Sequence, residues 1–222
     1  MRKLTVVFSL FILALTLGSQ TASAGACGTD TLANYMVAGF SCTIGDKTFS
    51  SFKYTSSALG ATQITASGVT VTPEIIGGEI GLQFSSGWSA GSNQFTDSLI
   101  GYTVTSSGAP IVDSILTMGG ATFVGTGIAI VAENLTNGAG LAVYTTSFGT
   151  VLSDKATFAP ATSITVAFKD VTASGGSAGA ASVSEVSNLF SQGQVPEPGS
   201  LLLLGTGLLS FGGLLRRRIL GA

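Results

Sequence analysis

The chain has 222 residues, of which only 9% are charged, against roughly 25% in an ordinary soluble domain; its 31 glycines are about double the usual share. Small polar residues must do the solvating that Lys and Glu normally do, which suits an extracellular all-β domain better than a cytosolic helical one. The chain has no histidine, which excludes Ser-His-Asp and Cys-His nucleophile pairs and histidine-bound zinc, and five of its nine basic residues sit at the extreme ends, leaving an acidic middle with no patch for nucleic acid.

At the N-terminus Met1-Arg2-Lys3 precedes an apolar run from Leu4 to Leu17 and then Thr21-Ala22-Ser23-Ala24. A charged start, an apolar stretch and an Ala-x-Ala site are the layout of a secretory signal, with cleavage expected after Ala24. Cys27 and Cys42 are the only cysteines. In an exported chain their pairing is the default, and a closed loop of about fifteen residues would contribute roughly 3 kcal/mol. Between them Asp30 to Phe40 is expected as a short helix. Thr29 or Asp30 caps it, Leu32, Tyr35 and Met36 fall at helical spacing, and Gly39 ends it.

Beyond a Gly45-Asp46-Lys47 turn the pattern is β. Phe52 and Tyr54 alternate with polar residues, and Ile64–Thr72, Leu99–Thr105, Ile111–Met118 and Ala121–Val131 read as strands. Asn137-Gly138, between Ile128–Leu135 and Leu141–Thr145, is a hairpin signal, because both residues tolerate positive φ. Ser163 to Lys169 alternates cleanly, which puts Ile164, Val166 and Phe168 on one face. Ala173–Ala181 is expected as a Gly-, Ala- and Ser-rich loop before a last strand through Val183 and Val186. Many short strands divided by Gly and Ser argue for an antiparallel β-sandwich, jelly-roll-like, over residues 25–190. Residues 191–200 follow as a linker.

The mature domain offers few candidate sites. Gly87-Trp88-Ser89-Ala90-Gly91 matches the G-x-S-x-G nucleophile pattern, but a strand-to-helix turn and a histidine base are missing, so a β-loop is the better reading. Paired carboxylates can hydrolyse glycosides, and Glu74 with Glu79, or Asp97 with Asp113, are the candidate pairs. Trp88, beside Asn93 and Gln94, is the candidate glycan contact through stacking. No Asp-x-Asp-x-Asp run supports calcium, and no metal or cofactor is expected. The Thr70-Val71-Thr72 and Thr103-Val104-Thr105 arrays do not recur at a fixed period, as an ice-binding surface would require.

The C-terminus is more specific. Val195-Pro196-Glu197-Pro198-Gly199 leads through Ser200 into an apolar run from Leu201 to Leu215, closed by Arg216-Arg217-Arg218. As a helix those fifteen residues would reach about 22 Å, short of the roughly 30 Å hydrocarbon core, a deficit that snorkelling arginines reduce. Residues 201–222 are therefore expected as a transmembrane helix with a basic tail held cytoplasmic. Pro196-Glu197-Pro198, the leucine-rich run and the arginine cluster resemble the PEP-CTERM sorting signal, a tail some classifications call the ice-binding protein C-terminal domain. The segment from Gly25 to Tyr54 is also similar to an N-terminal region of some PEP-CTERM proteins. The resemblance implies an exosortase as processing partner, export across the inner membrane, transient anchoring, and release or attachment at the cell surface. It implies no activity, since unrelated domains carry the tail. The expected function is a non-catalytic structural or adhesive role at the cell surface or in the exopolysaccharide matrix, with exopolysaccharide or surface glycan as partner. The alternative is a polysaccharide-acting enzyme that uses a carboxylate pair.

Overall fold

The structure is a computed structural model that describes residues 24–193. The expected signal segment before Ala24, Pro196-Glu197-Pro198, the expected transmembrane helix over 201–222 and Arg216–Arg218 lie outside the described residues.

Fifteen strands and one short helix follow in order. They are β1 (Gly25–Ala26), β2 (Asp30–Thr31), α1 (Leu32–Tyr35), β3 (Ser41–Ile44), β4 (Lys47–Leu59), β5 (Thr70–Ile76), β6 (Glu79–Ala90), β7 (Phe95–Ser106) and β8 (Ile111–Gly119). Then come β9 (Thr122–Val124), β10 (Ile128–Leu135), β11 (Gly140–Thr146), β12 (Gly149–Val151), β13 (Ser153–Ala161), β14 (Ser163–Ser174) and β15 (Ala180–Gln192). They form two sheets. One has the order β1-β3-β4-β7-β14-β10-β11-β12; the other has β13-β8-β15-β6-β5-β2, with β9 paired to the start of β15. All pairings are antiparallel except β1 with β3. Inward side chains from both sheets, among them Phe49, Val104, Val131 and Val171 facing Leu82, Phe84, Leu116 and Val186, make one continuous core. The expected β-sandwich is therefore present.

Several local expectations change. The helix is one turn, because Asp30 and Thr31 pair with β5 and only Leu32 and Tyr35 find buried positions. Ile64–Thr72 is a strand only from Thr70, after a 3-10 turn at Ala66–Gly68. The expected Ala121–Val131 strand splits at Gly125-Thr126-Gly127, where Gly125 takes a positive φ of 59°. Strand β15 runs to Gln192, opposite Ile111 of β8, so two residues expected in the linker belong to the sheet.

The most informative departure lies in β14. Ile164 and Val166 face the core, but Phe168 is turned outward and Lys169 inward and fully buried. In the pairing with β7, Val166 opposes Tyr102 and Lys169 opposes Ile100. Three steps on β14 thus match two on β7, and one extra residue in a strand of period two reverses the side-chain parity beyond it. A matching bulge on the opposite flank of β7, between Ser50 and Lys53, puts Ser51 at a φ of 58° and lets Phe49 and Phe52 both point inward.

The disulfide Cys27–Cys42 is present and fastens β1 beside β3. Its neighbours Tyr35, Phe40 and Phe52 form an aromatic cluster with centroids 4.7 to 6.1 Å apart.

Candidate functional site

The strand directions define two ends. Strand β15 begins beside β9 and the end of β6, where Ala180 opposes Val124 and Ala181 opposes Ala90. It finishes at the opposite end, where Gln192 and Gly193 meet the β7–β8 loop through a Gly193 N–H to Pro110 carbonyl bond of 2.9 Å. Thirteen residues at about 3.4 Å each separate these ends by about 40 Å.

At the end from which the tail departs, Asp46 acts as a clamp. Its carboxylate accepts from Ser106 Oγ at 2.9 Å and from Gln192 Nε2, and lies 3.4 Å from Lys47 Nζ. Partial burial works to raise the Asp46 pKa, but the Ser106 hydroxyl and the Lys47 charge outweigh it and hold the carboxyl below its ordinary value.

The far end carries a groove of roughly 500 Å³ lined by Gly60-Ala61-Thr62, the end of β6, Gln94, β9 and the start of β15. The β6–β7 turn that forms one wall is fixed locally. Gln94 Oε1 accepts from the Gly91 N–H at 2.9 Å, and Asn93, at a φ of 58°, bonds through its N–H to the Gly176 carbonyl at 2.6 Å. Gly175 packs so tightly on this turn that a Cβ there would overlap the Gly91 carbonyl. On the opposite wall the Thr122 and Ser182 hydroxyls bond to each other at 2.8 Å. The lining is hydroxyl, amide, backbone and small apolar groups, with no charged side chain and no aromatic ring. Phe148, at the tip of the β11–β12 hairpin, belongs to this same end and is 99% exposed.

Several sequence candidates fall elsewhere. Trp88 is in the core with no exposed surface and donates from Nε1 to Ser98 Oγ at 3.0 Å. A ring enclosed on both faces cannot stack on a sugar, so Trp88 is not the glycan contact. Its parity decides this: Trp88 is an inward position of β6 and its neighbours Gly87 and Ser89 are outward. The Gly87-to-Gly91 segment is strand and turn, not a strand-to-helix elbow.

The expected carboxylate pairs fare differently: Glu74 and Glu79 are diagonal neighbours across β5 and β6, each with its own hydrogen-bond partner, whereas Asp97 and Asp113 lie in different sheets. Glu74 accepts from Gln83 Nε2 at 3.0 Å, while Glu79 accepts from Ser191 Oγ at 2.7 Å. Asp113 is paired with Lys155 at 2.8 Å on the second sheet. Asp97 belongs to β7 of the first sheet, so the core lies between it and Asp113. The partner of Asp97 is Asp170, a diagonal neighbour on β14. Burial first, then the Asp170 carboxyl, push the Asp97 pKa up from its ordinary 3.8 to about 6. Sequence reading missed this pair because nothing local says that β7 and β14 are neighbours. Among the described residues no group of three or more acidic or cysteine side chains is placed to hold a metal ion.

Residues 194–218 match the family model of the PEP-CTERM protein-sorting motif. The chain thus carries the sorting tail that marks a protein for export and delivery to the cell envelope or surface. No curated protein matches the chain. Among solved structures it is similar to TmCBM61 in complex with beta-1,4-galactotriose, at 11% identity and a TM-score of 0.28 over 62% of this chain and 88% of that one. It is similar to the enzymatically active domain of bacteriophage CBA120 tailspike protein 4, at 12% identity and a TM-score of 0.27 over 61% of this chain and 19% of that one. A third is a carbohydrate-binding module of the β-sandwich superfamily, at 10% identity and a TM-score of 0.23 over 78% of this chain and 64% of that one.

Proposed function

We propose that this protein is an exported, non-catalytic β-sandwich that works by contact at the cell surface or in the exopolysaccharide matrix. Exosortase acts on its tail, and the groove at the far end takes a neutral segment of polysaccharide. The observation that carries this reading is the position and chemistry of the groove. It lies about 40 Å from the root of the sorting tail, counted along β15, and offers only uncharged hydrogen-bonding groups. Hydroxyls, amides and backbone carbonyls suit a neutral polyol, because each sugar hydroxyl both donates and accepts. The exposed ring of Phe148 adds an apolar contact at the same end.

The test is co-sedimentation of the exported protein with exopolysaccharide of the producing cells, with new reducing ends assayed in the same tubes. Binding without new ends, weakened by Ser89→Trp in the groove, supports the reading. Equal binding by wild type and Ser89→Trp refutes the groove.

A second reading, hydrolysis by Asp97 and Asp170, draws on the raised Asp97 pKa. Neither carboxyl lines the groove, so a polysaccharide seated there would not lie against the pair, which favours contact over catalysis. New reducing ends that vanish in Asp97→Asn would reverse that preference.

A further inference from the structure

The centre of the sandwich holds a set of polar side chains that neither the tail nor the groove uses. Lys169 of β14 and Glu133 of β10 stand opposite each other, Nζ to Oε2 at 2.9 Å, both with fully buried side chains. Ser114 Oγ of β8 donates to Glu133 Oε1 at 3.4 Å, and Asn188 Nδ2 of β15 donates to Ser114 Oγ at 2.8 Å. Tyr102 of β7 donates its hydroxyl to Asn188 Oδ1 at 2.5 Å. The Phe84 ring of β6 closes the circuit, lying 5.6 Å from Lys169 Nζ and 5.7 Å from the Tyr102 ring. An amine, a carboxylate and a carboxamide are thereby joined through Ser114 in one buried network, drawn from both sheets.

Each member has the role that amide exchange requires. A buried carboxylate against the amine is a general base. A donor on the amide oxygen stabilises the charge that develops there on attack. Burial pushes the Lys169 pKa down, toward the neutral amine, although Glu133 opposes this.

We propose that Lys169 and Asn188 join in an intramolecular isopeptide bond, with Glu133 as the base that promotes it. Glu133 takes a proton from the Lys169 ammonium. The free amine pair attacks Asn188 Cγ, and the carbonyl π electrons move to Oδ1, where the Tyr102 O–H meets them. Protons pass from the attacking nitrogen through Glu133 and Ser114 to Nδ2. The Cγ–Nδ2 bond breaks as the C=O reforms, and ammonia leaves. One ammonium, one carboxylate and one carboxamide become one secondary amide, one carboxylic acid on Glu133 and one ammonia, so atoms and charge balance with no oxidant or co-reactant. The geometry above is that of the unreacted side chains. The product links β14 of the first sheet to β15 of the second.

The test is a peptide map of the full exported protein, denatured, reduced and cut with trypsin. Lys169 is the one tryptic site between Lys155 and Arg216. The bond predicts no cut after Lys169 and a fragment beginning at Ala156 that is lighter than its sequence by one ammonia. Release of 156–169 at its unmodified mass from wild-type protein overturns the proposal, with no variant needed. Glu133→Gln is expected to restore the cut after Lys169. If that variant stays linked, the assignment of Glu133 as the base is wrong. Ser114→Ala, a smaller change, is expected to slow linkage, read as the linked fraction against time after synthesis; an unchanged rate removes Ser114 from the proton path.

Discussion

Replacing Asp97 by Asn tests the carboxylate pair on the outer face of the first sheet. Asp97 faces Asp170 diagonally across β7 and β14, and Thr172 holds Asp170 by an Oγ1–Oδ1 bond of 2.8 Å. Ser57 of β4 and the Ser98 backbone bond to Asp97 and favour its charged form, but burial and Asp170 win, and the carboxyl rises to about 6. The folded state therefore binds a proton more tightly than the unfolded chain does. Stability from this group is complete below the unfolded value near 3.8 and is lost as pH climbs through about 6. At about 1.4 kcal/mol per tenfold change in affinity the full difference would be about 3 kcal/mol. Water reaches the pair and screens it, so about 1 kcal/mol is expected. Urea denaturation at about pH 3 and about pH 8, run on wild type and Asp97→Asn, measures it; these two pH values bracket the window between the unfolded and folded values. Wild type should lose about 1 kcal/mol more than the variant between the two, and the variant should be the more stable at pH 8. Parallel pH profiles for the two proteins would refute the shared-proton account.

Four further outcomes follow from the same geometry. Trp88→Ala should cost about 3–5 kcal/mol, because it empties a fully enclosed site; a loss below about 1 kcal/mol in urea titration would contradict the enclosure. Replacing Cys27 and Cys42 together by Ser should cost about 3 kcal/mol on the chain-entropy account, and reduction of wild type should add the mass of two hydrogens. Substituting Ala for Pro196, Glu197 and Pro198 should leave the tail attached, and an unchanged mature mass would remove the motif from the sorting step. Phe148→Ser should leave the melting temperature unaltered, since the ring buries nothing, while weakening adsorption to polysaccharide; full adsorption would exclude that ring from the contact surface.

Legibility divided along the line between local and long-range order. The Asn137-Gly138 hairpin and the β8 strand carry their causes within a few residues, and the disulfide has only one possible pairing of two cysteines, so all three are visible in the chain itself. The sandwich class is visible for the same reason, since short alternating segments between glycines have few other ways to bury one face. The β14 bulge was not visible. Nothing in Ser163–Lys169 says that β7 pairs across it with one residue fewer, and that count alone sends Phe168 out and Lys169 in. The groove likewise joins Gly60–Thr62, β6, β9 and β15, four segments brought together only by the pairing order. Trp88 shows the converse: its residue type suggests a sugar platform, but its parity on β6 places it in the core.

The position of β15 has a mechanical meaning. This strand is the one from which the sorting tail continues, and it is also an interior strand, bonded along its length to β6 on one side and β8 on the other. A pull delivered through the tail acts along the strand axis and loads both ladders in shear. Many backbone bonds must then give together, where an edge strand in the same role would unzip one bond after another. Loading through β15 would thus let a domain with few charges and one disulfide hold its shape under tension applied at the tail.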